Sequence, residues 1–328
     1  SLLFTTNNFR KAKIPNFIEI IGSYAFDQCY KLQKVEIPDD SKLRKIGKYS
    51  FSFSSIESIK ISHHITHIDE CGFFSCYQLQ YAEIPTNSEL QIIDKYAFNS
   101  TSIESINIPS SVIELGEGWA KMTTNLNKIK IMENNQRYSL YEDKYIIEKS
   151  SIEKDNFDVL IFSINDIKIA SIPSFIKIIG QRTFYGYTKI EKVEIPDDSK
   201  LKIIDKYAFC CILIKRISIP PLLTHIKEFQ FIGEKSFFNS PVSSIFIPKN
   251  AIEIDELAFY SCKQLQIFEI DENSEIEKIH KNIFLDCEKV IVMISAKLRI
   301  ILFKFFCQSN HDLSLNNFFS SYYFIFKF

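Results

Sequence analysis

The spacing of one apolar position constrains the fold of this chain more than any other feature. Between residues 14 and 131 an isoleucine recurs every 23 or 24 residues, and the spacing resumes from residue 172 to residue 294 with one interval of 28. A unit of 23 residues is too short for two helices and a turn, which take about 33 residues. The sequence therefore predicts a solenoid of short coils, each packed only on its neighbours. The marker residues are Ile14, Ile37, Ile61, Ile84, Ile108, Ile131, Ile172, Ile195, Ile219, Ile247, Ile270 and Ile294.

Each marker ends a segment in which apolar and polar residues alternate. Around the second marker, Val35 and Ile37 would point to one face of a strand while Lys34 and Glu36 point to the other. Pro38 then ends the strand, because it has no N–H to contribute to a ladder. Strands of successive coils would lie about 4.8 Å apart. One long parallel sheet is therefore expected along the solenoid.

The return path of each coil carries an isoleucine and, five residues later, a phenylalanine, as at Ile21 and Phe26. Both side chains are expected to point inward, and the repeated Ala-Phe step is interpreted as a tight helical turn. The predicted fold class is therefore an α/β repeat solenoid, a right-handed coil dominated by short parallel β-strands. In the coil before residue 131, Trp119 stands one place before the Phe position and is expected to take over its packing.

The complete phrase of the repeat is I-x-x-I-G-x-x-A-F-x-x-C-x-x-L-x-x-V-x-I-P, which residues 18–38 match. It resembles the BspA-like leucine-rich-repeat family over residues 14–294. The resemblance implies a leucine-rich-repeat coil that commonly carries a β-hairpin insertion. It also implies a protein of bacterial or protist cell surfaces with an adhesive or antigenic role, although a cytoplasmic location is the alternative.

Two departures from the pattern set the expected organisation of the chain. Residues 132–171 do not repeat, and their short β-prone runs predict a β-hairpin insertion. The interval of 28 residues holds two coil starts with no strand between them, which is interpreted as two coils fused near residues 231–232. The expected parts are repeats over 1–131, the insertion over 132–171, repeats over 172–294, and an irregular C-terminal tail over 295–328.

Composition and charge exclude several classes of function. Lys and Arg number 39 against 40 Asp and Glu, so no basic field would attract nucleic acid. Glycine contributes only 8 of 328 residues, which removes most phosphate-binding loops. Lys297, Arg299 and Lys304 interrupt the most apolar stretch, so no membrane-spanning segment is expected.

The cysteines suggest neither a metal site nor a disulfide framework. Cys29, Cys76, Cys262 and Cys287 share one position of the repeat, three residues after the phenylalanine. Because Ser54 occupies this position in the coil between Cys29 and Cys76, those two would lie roughly 10 Å apart, too far for a disulfide. Buried free thiols are therefore expected, with the Cys262–Cys287 pair in successive coils as the exception.

A string of histidines could suggest zinc, but its pattern argues against a site. His63, His64 and His67 form H-H-x-x-H without the glutamate and helix of a zinc protease. His67 also recurs as His225 in the same Thr-His-Ile step, so it holds an ordinary repeat position. No catalytic residue, metal ligand or cofactor is expected, and the chain is not expected to be an enzyme.

The outward face of the sheet offers candidate binding residues. The first outward ladder is predicted to contain Tyr81, Lys128, Lys192 and Arg216, and the second ladder Lys130 and Phe246. Mixed charge along both ladders also fits an ordinary solvated face. Exposed aromatic residues, however, are common anchors of protein interfaces, which favours Tyr81 and Phe246.

The insertion adds three tyrosines, Tyr138, Tyr141 and Tyr145, close in sequence to Lys128 and Lys130. Tyrosine offers a large contact area at low entropy cost, and nearby cations suit an acidic glycan or an acidic protein patch. The alternative is that the tyrosines pack the hairpin against the adjacent coil. The predicted function is non-catalytic binding or adhesion toward a protein or glycan, with an intracellular scaffold or a degenerate copy without function as alternatives.

Overall fold

The computed structural model describes residues 9–151, 153, 155–196, 198–212, 216–218, 231–247, 249–280, 282–288, 290–295 and 322–327. The chain forms two compact units. The first comprises Ser1–Phe157 with Ser163–Asp166, and the second comprises Asp158–Phe162 with Ile167–Phe328. Among the described residues there are strands and turns but no helix, which corrects the α/β class to a β-solenoid. The right-handed sense of the coil stays a prediction.

The first unit is built from short strands, of which the first eleven alternate between two sheets and the last two pair antiparallel as a hairpin. They are β1 (Lys11–Lys13), β2 (Ile20–Ile21), β3 (Lys34–Glu36), β4 (Lys45–Ile46), β5 (Ser58–Lys60), β6 (His67–Ile68), β7 (Tyr81–Glu83), β8 (Ile92–Ile93), β9 (Ser105–Ile108), β10 (Glu114–Leu115), β11 (Lys128–Ile131), β12 (Tyr138–Tyr141) and β13 (Tyr145–Glu148). The odd-numbered strands from β1 to β11 form a six-stranded sheet, and the even-numbered strands from β2 to β10 form a five-stranded sheet.

The six-stranded sheet has the parallel register that the isoleucine spacing predicts. Lys34 pairs with Ser58, Ser58 with Tyr81, and Tyr81 with Ser105. The central residue of each strand points inward and is buried, whereas its two neighbours point outward, because side chains alternate along a strand. The prediction of stacked parallel strands is therefore confirmed.

Phenylalanine rings form the centre of the first unit. Phe26, Phe51, Phe73 and Phe98 are fully buried, and the rings of successive coils stack at centroid distances of 4.9, 5.3 and 5.1 Å. In the next coil, Trp119 is buried, as expected. Its carbonyl accepts the Phe98 N–H, as Ala97 does for Phe73, so Ala120 takes the phenylalanine register.

Each phenylalanine lies between two residues in the left-handed backbone region, and this turn replaces the expected helical one. Around Phe26, Tyr24 has a φ of 61° and Gln28 a φ of 56°. The N–H groups of these three residues donate to Lys48, Ser50 and Ser52 of the next coil. The turn therefore contributes a second row of bonds between coils. In the first unit the left-handed residues of these turns are Tyr24, Gln28, Tyr49, Phe53, Cys71, Ser75, Tyr96, Ser100, Gly118 and Met122.

In several coils the repeat position three residues after the phenylalanine holds a small hydrogen-bond donor. Cys76 Sγ donates to the Phe51 carbonyl at 2.9 Å, and Thr123 Oγ1 donates to the Phe98 carbonyl at 2.7 Å. In the second unit, Cys262 Sγ donates to the Phe237 carbonyl at 2.9 Å. The cysteines of the described residues are free thiols, and for Cys76 and Cys262 a carbonyl bond explains the position.

The second unit repeats the same design. Its strands are β14 (Val159–Ser163), β15 (Ile169–Ser171), β16 (Ile178–Ile179), β17 (Lys192–Glu194), β18 (Ile203–Ile204), β19 (Arg216–Ser218), β20 (Phe231–Ile232), β21 (Ser244–Ile247), β22 (Glu253–Ile254), β23 (Ile267–Ile270), β24 (Lys278–Ile279), β25 (Val290–Ser295) and β26 (Tyr322–Lys327). All strand pairs within this unit are parallel. Phe184, Phe209, Phe237 and Phe259 form a stack of their own in this unit at centroid distances of 5.3 to 5.4 Å.

Two strands within the expected insertion make parallel pairs of the kind seen between coils. Val159 and Leu160 of β14 pair with Ile178 and Ile179, and Ile169 of β15 pairs with Lys192. The limits of the insertion, residues 132–171, stay a prediction.

The register spans the long interval. Ile204 pairs directly with Ile232, and Phe209 stacks on Phe237. Phe231 takes the register of Ile203, one place before the paired isoleucine. Of residues 213–230 the structure describes only 216–218, so the interpretation as two fused coils stays a prediction; Ile219 lies outside the described part.

The tail is not wholly irregular. Tyr322–Lys327 pairs in parallel with Val290–Ser295 over six residue pairs and so extends the sheet that contains β21, β23 and β25. Residues 296–321 lie outside the described part. The expectation of an irregular tail is therefore wrong for β26.

Candidate binding face

The outward side of the six-stranded sheet in the first unit is the candidate binding face. It consists of two parallel ladders that cross six strands, a length of about 24 Å at the usual strand spacing. The first ladder contains Lys11, Lys34, Ser58, Tyr81, Ser105 and Lys128, and the second contains Lys13, Glu36, Lys60, Glu83, Asn107 and Lys130. All of these side chains are exposed except Asn107, which is half-buried.

Tyr81 lies near the middle of the face and is 56% exposed. Its ladder neighbours on both sides are serines, Ser58 and Ser105, so no large side chain flanks it within the ladder. The strand that carries Tyr81 is anchored by its central residue, the buried Ala82. A large amphipathic ring on a rigid sheet, with small neighbours, can enter a pocket of a partner at low entropy cost.

Lysines dominate the charge of the face. Six lysines stand against two glutamates, and one of these, Glu36, already forms an ion pair with Lys34 at 3.0 Å. The hydrogen bond from Lys34 lowers the pKa of Glu36, so this carboxylate stays ionised. Lys60 bonds Asp39 beside the face at 2.7 Å and lowers the pKa of that carboxyl.

The ends of the face carry the least neutralised charge. Lys11 and Lys13 lie on β1, while Lys128 and Lys130 lie on β11. Within the described residues, neither Lys128 nor Lys130 takes part in an ion pair. The face thus combines a central aromatic ring with a basic pair at each end. The two lysines of β1 were not among the ladder residues expected from the sequence.

The insertion tyrosines are placed very differently from Tyr81. Tyr138 and Tyr145 are 3% and 1% exposed, and only Tyr141 is half-buried. Burial raises the pKa of Tyr138 to about 12. The burial of Tyr138 and Tyr145 favours the alternative interpretation, in which they pack the hairpin, over a contact with a ligand.

Asn135 explains how the hairpin is held. Its Nδ2 donates to the carbonyls of Pro109 and Val112 at 2.9 and 3.0 Å, and its Oδ1 accepts from the N–H groups of Arg137 and Tyr138. One buried amide therefore ties the start of β12 to the preceding coil. Sequence reasoning missed this residue, because an isolated asparagine in a loop carries no pattern.

The candidate residues of the second unit are less prominent. Lys192 is half-buried and pairs with Glu194 at 2.7 Å, and Phe246 is half-buried opposite Glu269. Arg216 pairs in register with Lys192, and its side chain lies outside the described part. Ile267, which pairs in register with Ser244, is 39% exposed.

Among the described residues, no helix is long and apolar enough to cross a membrane. The two ladders of parallel strands, the stacked phenylalanines and the open polar face define a leucine-rich-repeat solenoid. The model of the BspA type leucine-rich repeat region matches residues 1–127, 45–166, 144–232 and 230–326, in six copies. The chain belongs to this family.

Solved structures share the fold. The pneumococcal vaccine antigen PcpA superposes with a TM-score of 0.75 at 18% identity, covering 97% of this chain and 79% of that chain. A leucine-rich cell surface protein of Faecalibacterium prausnitzii A2-165 gives a TM-score of 0.61 at 23% identity, covering 84% and 76%. A leucine-rich-repeat protein of Eubacterium ventriosum ATCC 27560 gives 0.60 at 18% identity, covering 88% and 67%. No curated protein matches the sequence.

Proposed function

We propose that this protein is a non-catalytic binding or adhesion protein of a cell surface, which holds an acidic protein or glycan partner on its binding face. The observation that carries the proposal is the exposed Tyr81 at the middle of a rigid sheet with lysine pairs at both ends. The surface location is supported by the family and by relatives of the same fold that are a vaccine antigen and a cell surface protein.

The two kinds of residue have separate tasks in this proposal. Lys128 and Lys130 attract an acidic partner and set its orientation, since charges at the rim of an interface mainly change the association rate and specificity. Tyr81 supplies affinity, because desolvated aromatic anchors carry most of the binding energy in many interfaces. Lys192, Arg216 and Phe246 are proposed as a secondary contact region on the second unit, and Tyr141 as a marginal contact.

The experiment compares binding of purified variants to a glycan array and to a panel of purified matrix proteins. We expect Tyr81→Ala to weaken the strongest interaction by about tenfold, the usual cost of losing an interface anchor. We expect Lys128→Glu with Lys130→Glu to slow association and to reduce its dependence on salt.

A matched control has the same charge change away from the face. Lys42 and Lys95 are exposed residues of the same unit that lie outside both ladders, so Lys42→Glu with Lys95→Glu keeps the net charge of the other double variant. Equal loss of binding in both double variants would show that binding depends on the net charge of the chain and not on the position of Lys128 and Lys130. Unchanged binding in Tyr81→Ala and in Lys128→Glu with Lys130→Glu would place the binding site elsewhere.

A further inference from the structure

Two loops of consecutive coils bring a pair of imidazoles against a carboxylate. His63 and His64 follow β5, and Glu89 precedes β8 one coil later. His64 Nδ1 lies 3.3 Å from Glu89 Oε1, and His63 Nε2 lies 4.0 Å from the same oxygen. One ligand atom from each residue falls within 4.8 Å of the others.

The hydrogen bond at Nδ1 of His63 determines which ring nitrogen carries the proton in the neutral ring. His63 Nδ1 lies 3.3 Å from the carbonyl oxygen of Asn87, which can only accept, so Nδ1 must carry the proton of this bond. In the neutral ring, Nε2 is then an acceptor, and it faces a carboxylate oxygen that is also an acceptor. A backbone carbonyl that orients the far nitrogen is the usual outer partner of a metal-binding histidine.

The backbone holds the two loops in place. The N–H of Glu89 donates to the carbonyl of His63 at 2.8 Å, which joins the loops at the cluster itself. The two imidazole rings lie in contact with centroids 4.1 Å apart. The three side chains therefore converge on a framework that needs little rearrangement.

We propose that His63 Nε2, His64 Nδ1 and Glu89 Oε1 form a binding site for a divalent transition metal, with Zn²⁺ as the best fit. Two imidazoles and a carboxylate are a donor set that zinc accepts, at bond lengths near 2.0–2.2 Å. Donors of a tetrahedral site with such bonds lie about 3.3 Å apart. One of the two measured donor distances already has this value, and the other needs a contraction of less than about 1 Å.

The surroundings decide the kind of site. The three side chains are 42–44% exposed, so the fourth coordination position opens to solvent or to a donor group of a bound molecule. The Arg44 guanidinium lies 3.9 Å from Glu89 Oε2, the carboxylate oxygen that is not a proposed metal ligand. Three protein ligands with one open position are the arrangement of exchangeable sites, whereas closed structural zinc sites have four.

His67 does not belong to the cluster, although the sequence string includes it. Its Nδ1 lies within hydrogen-bond distance of Oγ1 of the preceding residue, Thr66, at 2.8 Å. The third ligand comes from the next coil instead, which the spacing within the string could not reveal. His67→Ala is therefore a matched control, because it removes a histidine four residues from His63 without removing a proposed ligand.

The experiment measures Zn²⁺ binding to the purified, reduced full chain by calorimetry and Co²⁺ binding by absorption. We expect one Zn²⁺ per chain and a tetrahedral Co²⁺ spectrum without the charge-transfer band of thiolate ligands. His64→Ala and Glu89→Gln should each weaken Zn²⁺ binding by more than about tenfold, because the loss of even an outer-shell partner of a metal ligand lowers the affinity that much. His67→Ala should bind as the parent chain does.

Because the ligands are half-exposed, these variants are expected to keep the fold, which circular dichroism checks. Binding that is equal in His64→Ala, Glu89→Gln and His67→Ala would overturn the site, as would no Zn²⁺ binding to the parent chain or a thiolate band with Co²⁺. The result is independent of the binding face, because Tyr81→Ala leaves all three ligands intact.

Discussion

The hydroxyl oxygen of Tyr138 accepts a hydrogen bond from the backbone N–H of Leu115 over 2.8 Å. Leu115 lies on β10, the last strand of the five-stranded sheet, whose other edge pairs with β8. The Tyr138 hydroxyl thus accepts a hydrogen bond from an N–H group at the edge of the sheet. Within the described part of the first unit, that sheet has no further strand whose carbonyl could accept this bond. The insertion consequently acts as a cap on this sheet edge, in addition to being an appendage of the coil.

Tyr138→Phe tests this cap. The variant keeps the buried ring but leaves the Leu115 N–H without its acceptor, so we expect a loss of about 1–2 kcal/mol in the free energy of unfolding. Urea denaturation of the purified chain measures it. Tyr77→Phe removes a hydroxyl from a ring that is 61% exposed and should change stability little. Equal stability of the two variants would show that the hydroxyl of Tyr138 is not needed.

Asn135 should be the most sensitive residue of the hairpin. Asn135→Asp keeps the shape and the acceptor oxygen but replaces two donated hydrogen bonds with a carboxylate facing the carbonyls of Pro109 and Val112. We therefore expect Asn135→Asp to destabilise the chain by about 3 kcal/mol or more near neutral pH, because an unpaired buried charge costs more than a lost bond. Acidification that protonates the aspartate should recover part of the loss, and identical urea midpoints at pH 4 and pH 7 relative to the parent would contradict this.

The left-handed turn residues predict a stabilising substitution. Met122 has a φ of 56° and is 53% exposed, while Gly118, at the equivalent position on the other side of Ala120, is a glycine. Since a residue with a Cβ is strained by about 1–2 kcal/mol in this region, Met122→Gly should raise the free energy of unfolding by roughly 0.5–1 kcal/mol after the entropy cost of glycine. The exposed Thr124 has an ordinary φ, so Thr124→Gly should lower stability. Thermal unfolding of both variants decides the sign.

Stability should fall at alkaline pH because of the buried thiols. Burial raises the pKa of Cys76 from 9.0 to about 12, so ionisation opposes folding. Below pH 9 the thiol is protonated in both the folded and the unfolded chain, so its burial carries no ionisation cost there. As the pH rises from 9 toward 12, the unfolded thiol ionises while the folded one does not, and the free energy of unfolding falls. Between these values one such group changes stability by up to about 1.4 kcal/mol per pH unit. Cys76→Ser should reduce this slope in urea titrations from pH 8 to 11, and parallel curves for the two proteins would disprove the assignment.

The sheet could be predicted from sequence because its pattern is local and repeated. Alternation in Lys34, Val35 and Glu36 defines the two faces, and the constant spacing then sets the register from Lys34 through Ser58 to Tyr81. The five-stranded sheet could not be predicted in the same way. Its strands, such as Ile20–Ile21, are two residues long, so alternation gives no signal there.

The turn and the insertion were harder for physical reasons. The Ala-Phe step looks helical in propensity, yet bonds from Phe26 to Ser50 of the next coil hold it in a left-handed turn. The sequence left open whether Tyr138 and Tyr145 contact a ligand or pack the hairpin, and only the fold shows that both are buried. The approach of Glu89 to His63 depends on the stacking of coils, which a motif search within one coil does not include.

The hydrogen bonds donated by Cys76, Thr123 and Cys262 show what chemistry the stack requires at this repeat position. Thr123 and Cys76 make the same bond to a phenylalanine carbonyl, so a hydroxyl serves as well as a thiol. In the described part of the chain, no covalent sulfur bridge contributes to the stack. The bonds that Cys76 and Cys262 donate therefore do not require sulfur, and a hydroxyl at either position should support the same stack in reducing and in oxidising media.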